Sequence, residues 1–416
     1  MKVLFFPFCP GPGLAHAGAC LSVAGELAAR GDEAVLAYGG SRPDLVRREG
    51  VRIVEVDEIP LEWAGGHNQL DGFYPDVESL IRFIEGDRAL IEAEAPDVVV
   101  IDMRLPSATA AELAGVPLVT INHFLPATGY TTLTSWQRRL GMLRYPRHVA
   151  SRLGSIFKRD PLRVEALSGR FAEARRRLGL PPREGLPITG DCTAFTTTPF
   201  LDPPARPLPD GWHYAGPVTW SASGGEPPPE RGNRPLVFTS QGTLGAESSI
   251  EEISLSLSGL DAEIAVVTMG AADHQEIESL GSGIRALEFV DNDAWVQAAD
   301  VVVLHGGHLS MSAAARAGTP TVVIPDGRDH WAWATKTTRF GTGISLYRPL
   351  RPGAVGRAVR KVLSRPEYAE RAATLAEDLR GWRGEERIAD LIERVADDPD
   401  LGKPRNRQEP PGPSVG

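Results

Sequence analysis

At 416 residues and a formal net charge of −10, the chain is larger than one hydrophobic core usually supports, so two domains are expected, and its acidity argues against general nucleic-acid binding. Its three cysteines, Cys9, Cys20 and Cys192, show no metal-type spacing and suggest a reducing compartment with no disulfide framework. No apolar run approaches the roughly 18 residues of a membrane span, and the N-terminus lacks a signal-peptide pattern, so a cytoplasmic protein is expected.

In chain order, Val3 to Phe6, Glu33 to Ala37, Val51 to Val56, Asp97 to Ile101 and Leu118 to Ile121 read as buried parallel strands. Helical segments alternate with them, including Leu21 to Arg30, stopped by Gly31, and Ala108 to Ala114, stopped by Gly115. Pro10-Gly11-Pro12-Gly13 forms the turn after the first strand, with His16 at the start of the next helix, and Asp102 follows the run Val98 to Ile101. Residues 138–177 carry twelve positive side chains against three negative ones. A solvated helical face accounts for this pattern; the sharper alternative is a surface for an anionic acceptor, a carrier protein or an anionic membrane. Residues 202–235 are rich in proline and glycine and read as a connection between domains.

Strand and helix alternation then resumes with Leu236 to Ser240, Glu263 to Thr268, Ile284 to Phe289, Val301 to Leu304 and Thr321 to Ile324, and Glu367 to Trp382 and Glu385 to Asp397 read as closing helices. The expected division is an N-terminal domain 1–205, a linker 206–232, a C-terminal domain 233–382, a terminal helix 383–398 and a disordered tail 399–416.

His305-Gly306-Gly307 lies between an apolar strand and a helix. Glycines let backbone approach a ligand, and the first amides of a helix offer unpaired N–H groups and partial positive charge, a setting for a diphosphate. An ordinary βαβ unit also carries glycines at its turns, so this turn alone leaves both readings open. The next strand ends in Pro325, with Asp326, Arg328, Asp329 and His330 at the carboxyl edge where open α/β sheets bind ligands.

The spacing of His305, Gly306, Gly307, Ala317, Gly318, Pro320, Pro325, Asp329, His330, Gly341 and Gly343 resembles the donor signature of the GT-B nucleotide-sugar glycosyltransferases. This is the UDP-glycosyltransferase and actinobacterial natural-product, or macrolide-type, family. Leu178-Gly179-Leu180-Pro181-Pro182, Tyr214-Ala215-Gly216-Pro217 and Ser240-Gln241-Gly242-Thr243 resemble further marks of that family in the same order. The resemblance implies two Rossmann-like, doubly wound α/β domains facing across a cleft, with the terminal helix crossing back to the first.

It also implies inverting transfer of a sugar, without cofactor or metal, from a UDP- or dTDP-sugar to a hydroxyl of a hydrophobic natural-product aglycone. Donor contacts would come from Ser240, Gly242, Thr243, Phe289, Val290, His305, Gly306, Gly307, His308, Ser310, Asp329 and His330. Three positions depart from the family pattern: Leu309 stands at a usual glycine, Ala313 at an acidic residue that often holds ribose, and Trp333 at a common asparagine.

His16, in register with Arg30-Gly31-Asp32, resembles the family's catalytic base, although Ala15 and Ala19 replace the usual glycine and proline. Imidazole suits proton abstraction near neutral pH, a helix N-terminus favours its neutral form, and a carboxylate would stabilise the imidazolium that forms. Asp102 is the expected carboxylate, because its family counterpart pairs with the histidine. The structural alternatives are a helix-capping histidine and a strand-end aspartate bonded to loop amides.

Trp63, Phe73, Phe124 and Trp136 suit stacking on a flat acceptor or packing within loops. No DxD-type cluster lies near the phosphate motifs, and His305 with His308 lacks further zinc ligands nearby. Competing expectations are a lipid-linked acceptor at a membrane surface, a catalytically silent GT-B protein and, more distantly, a nucleoside-diphosphate epimerase. The quaternary expectation is a monomer or homodimer.

Overall fold

The computed structural model describes residues 1–11, 13–47, 50–60, 73–123, 164–183, 185–204, 207–221, 224–242, 247–326, 328–398 and 401. The first half contains β1 (Lys2–Pro7), α1 (Ala15–Ala29), β2 (Glu33–Tyr38), α2 (Pro43–Val46), β3 (Arg52–Glu55), α3 (Val77–Glu94), β4 (Val98–Asp102), α4 (Leu105–Ala114), β5 (Leu118–Asn122), α5 (Val164–Arg177), β6 (Cys192–Phe195) and β7 (Trp212–Tyr214). These strands form one sheet of order β3-β2-β1-β4-β5-β6-β7, with every paired neighbour parallel.

The second half contains β8 (Leu236–Ser240), α6 (Glu247–Leu257), β9 (Glu263–Val267), α7 (His274–Ser279), β10 (Ile284–Leu287), α8 (Asn292–Ala298), β11 (Val301–Leu304), α9 (His308–Ala317), β12 (Thr321–Val323), α10 (Arg328–Phe340), β13 (Gly343–Ser345), α11 (Ala354–Leu363), α12 (Pro366–Leu379) and α13 (Gly384–Asp397). Its sheet has the order β10-β9-β8-β11-β12-β13, again parallel throughout.

The central strands are continuous Val, Ile, Leu and Phe runs because helices cover both sheet faces, and each sheet therefore has a core on either side. Two doubly wound α/β domains follow, the arrangement of a GT-B fold. Three strands escape the sequence reading: β6, β7 and β13, with only 4, 3 and 3 residues. β7 corrects the expected linker, since it falls within 206–232 yet extends the first sheet. Its surrounding prolines and glycines mask a strand too short to show alternation.

Helix α1 begins at Ala15, so His16 stands in its first turn, and the residues that follow, Ala17, Gly18 and Ala19, are small and buried. A Cβ on Gly18 would stand 2.5 Å from the Trp220 ring and 3.0 Å from Leu309 Cδ1. The second domain and the connecting chain therefore press directly on this end of α1.

The last helix, α13, lies against α1 and places Ile388, Ala389, Leu391, Ile392 and Val395 in the first domain's core. Arg30 adds ion pairs to Asp390 at 2.7 Å and Glu393 at 3.1 Å. The apolar stripe dominates, at roughly 1.5–3 kcal/mol per large buried aliphatic side chain, against about 0–1 kcal/mol for an exposed ion pair. The chain thus crosses between domains twice, near Gly216-Pro217 and again before α13. The crossings touch: a Cβ on Gly384 would lie 2.6 Å from the carbonyl oxygens of both Gly216 and Pro217.

Candidate active site

At the carboxyl edge of the first sheet, β1 pairs with β4 so that Pro7 lies beside Asp102. The chain leaves β1, turns, and starts α1 next to the end of β4. This adjacency carries His16, the second residue of α1, to Asp102, the last residue of β4: His16 Nδ1 and Asp102 Oδ1 are 2.8 Å apart. The His16 side chain is 26% exposed and Asp102 is fully buried.

A buried carboxylate is costly unless hydrogen-bonded, and Asp102 has a second imidazole, with His123 Nε2 at 3.1 Å from Oδ2. Burial alone would raise the Asp102 carboxyl, but His123 and His16 outweigh it and hold the group well below the usual carboxylate range. Phe8 meets the His16 ring edge-on at 6.0 Å and packs on Phe73 at 4.9 Å, so Phe73 belongs to this neighbourhood. Trp63, Phe124 and Trp136 lie outside the described residues.

The second sheet's edge uses backbone where the first uses side chains. Ser240 ends β8 beside Leu304 at the end of β11, which brings the Ser240-Gln241-Gly242 turn against His305. Gly306 has φ +98°, a conformation that favours glycine, and a Cβ there would lie 3.0 Å from His330 Cα. A Cβ on Gly242 would lie 2.7 Å from His305 Cε1, and one on Gly307 would collide with His305 Nε2. The His305 ring is therefore held between two glycines, edge-on to His330 at 4.6 Å, while His330 pairs with Asp326.

Gly307 caps α9, whose first turn contains His308 and Ser310. Its leading amides, His305 and the β8 turn lie together at the carboxyl edge of the second sheet, where the start of a helix offers unpaired N–H groups. Thr243 and the Asp329 side chain lie outside the described residues.

Other expected donor residues sit differently. His308 is buried and bonded at both ring nitrogens, to Thr196 at 2.8 Å and Trp333 at 3.2 Å. Burial, helped by His123 and Lys336, lowers its pKa far enough to keep it neutral. Phe289 and Val290 are covered from the linker, where the Glu226 amide donates to the Phe289 carbonyl at 3.3 Å. Of the departures from the family pattern, Leu309 packs in the first domain's core, Ala313 in the second domain's core, and Trp333 is buried under His308.

His123 and Thr196 were not among the sequence-predicted site residues, although each immediately follows a strand at the same edge, β5 and β6. That position was the available signal.

Among the described residues, His16, Asp102 and His123 form a group with ligating atoms within 4.8 Å that could hold a cation. Both Asp102 oxygens already meet an imidazole nitrogen, so a cation would have to displace two hydrogen bonds. On α5, the buried Arg175 pairs with Glu112 at 2.7 Å and the exposed Arg177 with Glu78 at 2.7 Å, so these two arginines of the basic segment are engaged in ion pairs within the first domain. Residues 138–163 lie outside the described residues, and among those described no helix is long and apolar enough to cross a membrane.

Residues 251–393 match the family described as "Erythromycin biosynthesis protein CIII-like, C-terminal domain". A PGL/p-HBAD biosynthesis rhamnosyltransferase of Mycobacterium bovis is 28% identical over 337 residues, covering 77% of this chain and 72% of its own. A zeaxanthin glucosyltransferase of Pseudescherichia vulneris is 26% identical, covering 74% and 76% respectively. Among solved structures, the spinosyn forosaminyltransferase SpnP superposes with a TM-score of 0.70 at 20% identity, covering 96% of this chain and 100% of its own. VinC, solved with dTDP, gives 0.65 at 18%, with coverage of 95% and 100%. With two parallel α/β domains in a GT-B fold, a C-terminal region that matches the erythromycin CIII-like type and relatives that transfer sugars, the chain is a glycosyltransferase similar to those of natural-product and glycolipid biosynthesis.

Proposed function

We propose that the protein transfers a sugar with inversion from a nucleoside diphosphate, preferably a dTDP-sugar, to a hydroxyl on a hydrophobic aglycone. The observation that carries this reading is the His16–Asp102 pair at the head of α1, pressed against α9, whose own head adjoins the glycine turn. With Nδ1 donating to the carboxylate, His16 Nε2 is the accepting nitrogen. It removes the hydroxyl proton as the acceptor oxygen attacks the anomeric carbon, while the bond to the diphosphate breaks on the opposite face. Charge developing on the diphosphate is stabilised by the α9 amides, His305 and the β8 turn. No step requires a metal.

The dTDP preference rests on the solved relatives VinC and the spinosyn rhamnosyltransferase, both with that nucleotide bound. The hydrophobic acceptor rests on Phe8 and Phe73 beside the base, together with the zeaxanthin-acting relative.

The test incubates the purified protein with dTDP-rhamnose, dTDP-glucose and UDP-glucose and with phenolic, carotenoid and macrolide alcohols, following nucleoside diphosphate release and the anomeric configuration of the product. Transfer with inversion that survives EDTA supports the proposal. A product with retained configuration overturns the mechanism. Nucleotide binding with no product from any acceptor favours the silent reading. A lipid-linked acceptor at a membrane surface is the second reading, favoured by the basic composition of residues 138–163, and liposome-dependent turnover would single it out.

A further inference from the structure

A chain of hydrogen bonds runs from the second domain to the catalytic pair, and its direction follows from which groups can donate. Trp333 on α10 begins it: an indole N–H can only donate, and it reaches His308 Nδ1 at 3.2 Å. A neutral imidazole with Nδ1 accepting carries its hydrogen on Nε2, which therefore donates to Thr196 Oγ1 at 2.8 Å. The Thr196 hydroxyl hydrogen then has two acceptors in reach, His123 Nδ1 at 2.8 Å and the Asn122 carbonyl at 3.5 Å, and the shorter contact is the stronger. With Nδ1 accepting, His123 points Nε2–H at Asp102 Oδ2, 3.1 Å away. Asp102 Oδ1 takes the last hydrogen from His16 Nδ1 at 2.8 Å. The rings of His123 and His308, one from each domain, lie 4.4 Å apart.

We infer that His123 is a positioning residue whose tautomer is set from the opposite domain by Trp333 and His308, acting through Thr196 on its own domain, so that the base is fully oriented only when the domains are packed as they are here. This rests on the proposed transfer reaction. A neutral His123 supports the carboxylate without cancelling its charge, which leaves that charge to stabilise the imidazolium formed at His16. Without the Thr196 hydroxyl donating to Nδ1, nothing would hold Nε2–H as the side of the His123 ring that faces Asp102.

The experiment records two-bond ¹H–¹⁵N spectra of the full-length protein with ¹⁵N-labelled histidine, assigns His123 by its loss in His123→Gln, and compares wild type, Thr196→Val, Thr196→Ser and Trp333→Phe. The expected wild-type signature is a neutral His123 with protonated Nε2 and unprotonated Nδ1. Thr196→Val should lose that signature and lower kcat about tenfold with donor KM unchanged, and Thr196→Ser should restore both. Trp333→Phe should disturb His308 first and His123 less. A wild-type His123 that is protonated on Nδ1, or a Thr196→Val protein with unchanged tautomer and kcat, overturns the inference. If the wild type turns over no donor, the transfer reading fails while the spectra still decide whether the relay exists.

Discussion

The two sheet edges that face each other solve different problems with different materials. The first places polar side chains at successive strand ends, Asp102 on β4, His123 after β5 and Thr196 after β6, and each is buried with its hydrogen bonds made. The second places glycines at its strand ends, so that backbone and one clamped imidazole line the space. Moving a proton requires a group with a tuned acidity, whereas stabilising a diphosphate requires many fixed dipoles at close range. Damage to the first edge should therefore appear in kcat, and damage to the second in donor affinity.

The largest expected effect tests the first edge. Asp102→Asn keeps the shape but removes the charge that stabilises the His16 imidazolium, and kcat should fall about 10³-fold or more with donor KM nearly unchanged. An equal change in both constants would merge the two edges into one function.

Next comes the contact that holds the edges together. Lys336 on α10 and Asp202, after β6, form a buried pair at 2.7 Å, with Thr197 also donating to Asp202 at 2.6 Å. Burial lowers the Lys336 pKa despite Asp202. Lys336→Met leaves a buried carboxylate without its cation and should lower stability by about 3 kcal/mol in urea unfolding. A loss below about 0.5 kcal/mol would mean the domains do not depend on this pair.

A smaller effect tests the second edge. Gly307→Ala drives a methyl into His305 and should weaken dTDP binding about tenfold, measured by calorimetry, with kcat at saturation much less affected. Binding unchanged by this methyl would move the diphosphate away from the turn.

The smallest is a pH effect. The folded protein keeps His308 neutral, whereas the unfolded chain takes up a proton below about pH 6.5, so stability should fall as pH drops through that region. Asp102 adds a second loss below about pH 4, because its folded pKa is depressed: its contribution is present above the unfolded value and disappears as the folded value is crossed. His308→Gln should flatten the Tm change between pH 7 and 5.5 and leave the acid-side loss. An unchanged slope would assign the titration to another group.

Most of the fold could be read directly, because buried parallel strands are long apolar runs and glycines mark the helix ends, as at Gly115 and Gly318. Strands of three or four residues, such as β7 and β13, carry no usable period and escaped that reading. The contact between His16 and Asp102 was expected through the family resemblance, since their positions at the ends of elements alone also suit a helix cap and a loop-bonded aspartate. His123 and Thr196 stand at equivalent ends, but their importance depends on β5 and β6 lying next to β4 and on the approach of α9, neither of which local pattern encodes. His308 was expected to face the donor; its ring instead bonds Thr196 and Trp333 within the domain contact.

The touching passages at Gly216 and Gly384 give the two halves one shared pivot instead of two separated supports. Noncovalent contacts among the described residues also bear on their angle, including Leu309 against Gly18, Lys336 on Asp202, Arg339 on the Leu201 carbonyl, and Thr196 on His308. The angle between the halves seen here is the one at which a hydroxyl and an imidazole meet at 2.8 Å. A side chain larger than hydrogen at either glycine would act as a wedge at the fulcrum, shifting the resting angle of the whole molecule while leaving every reacting group in place on its own domain.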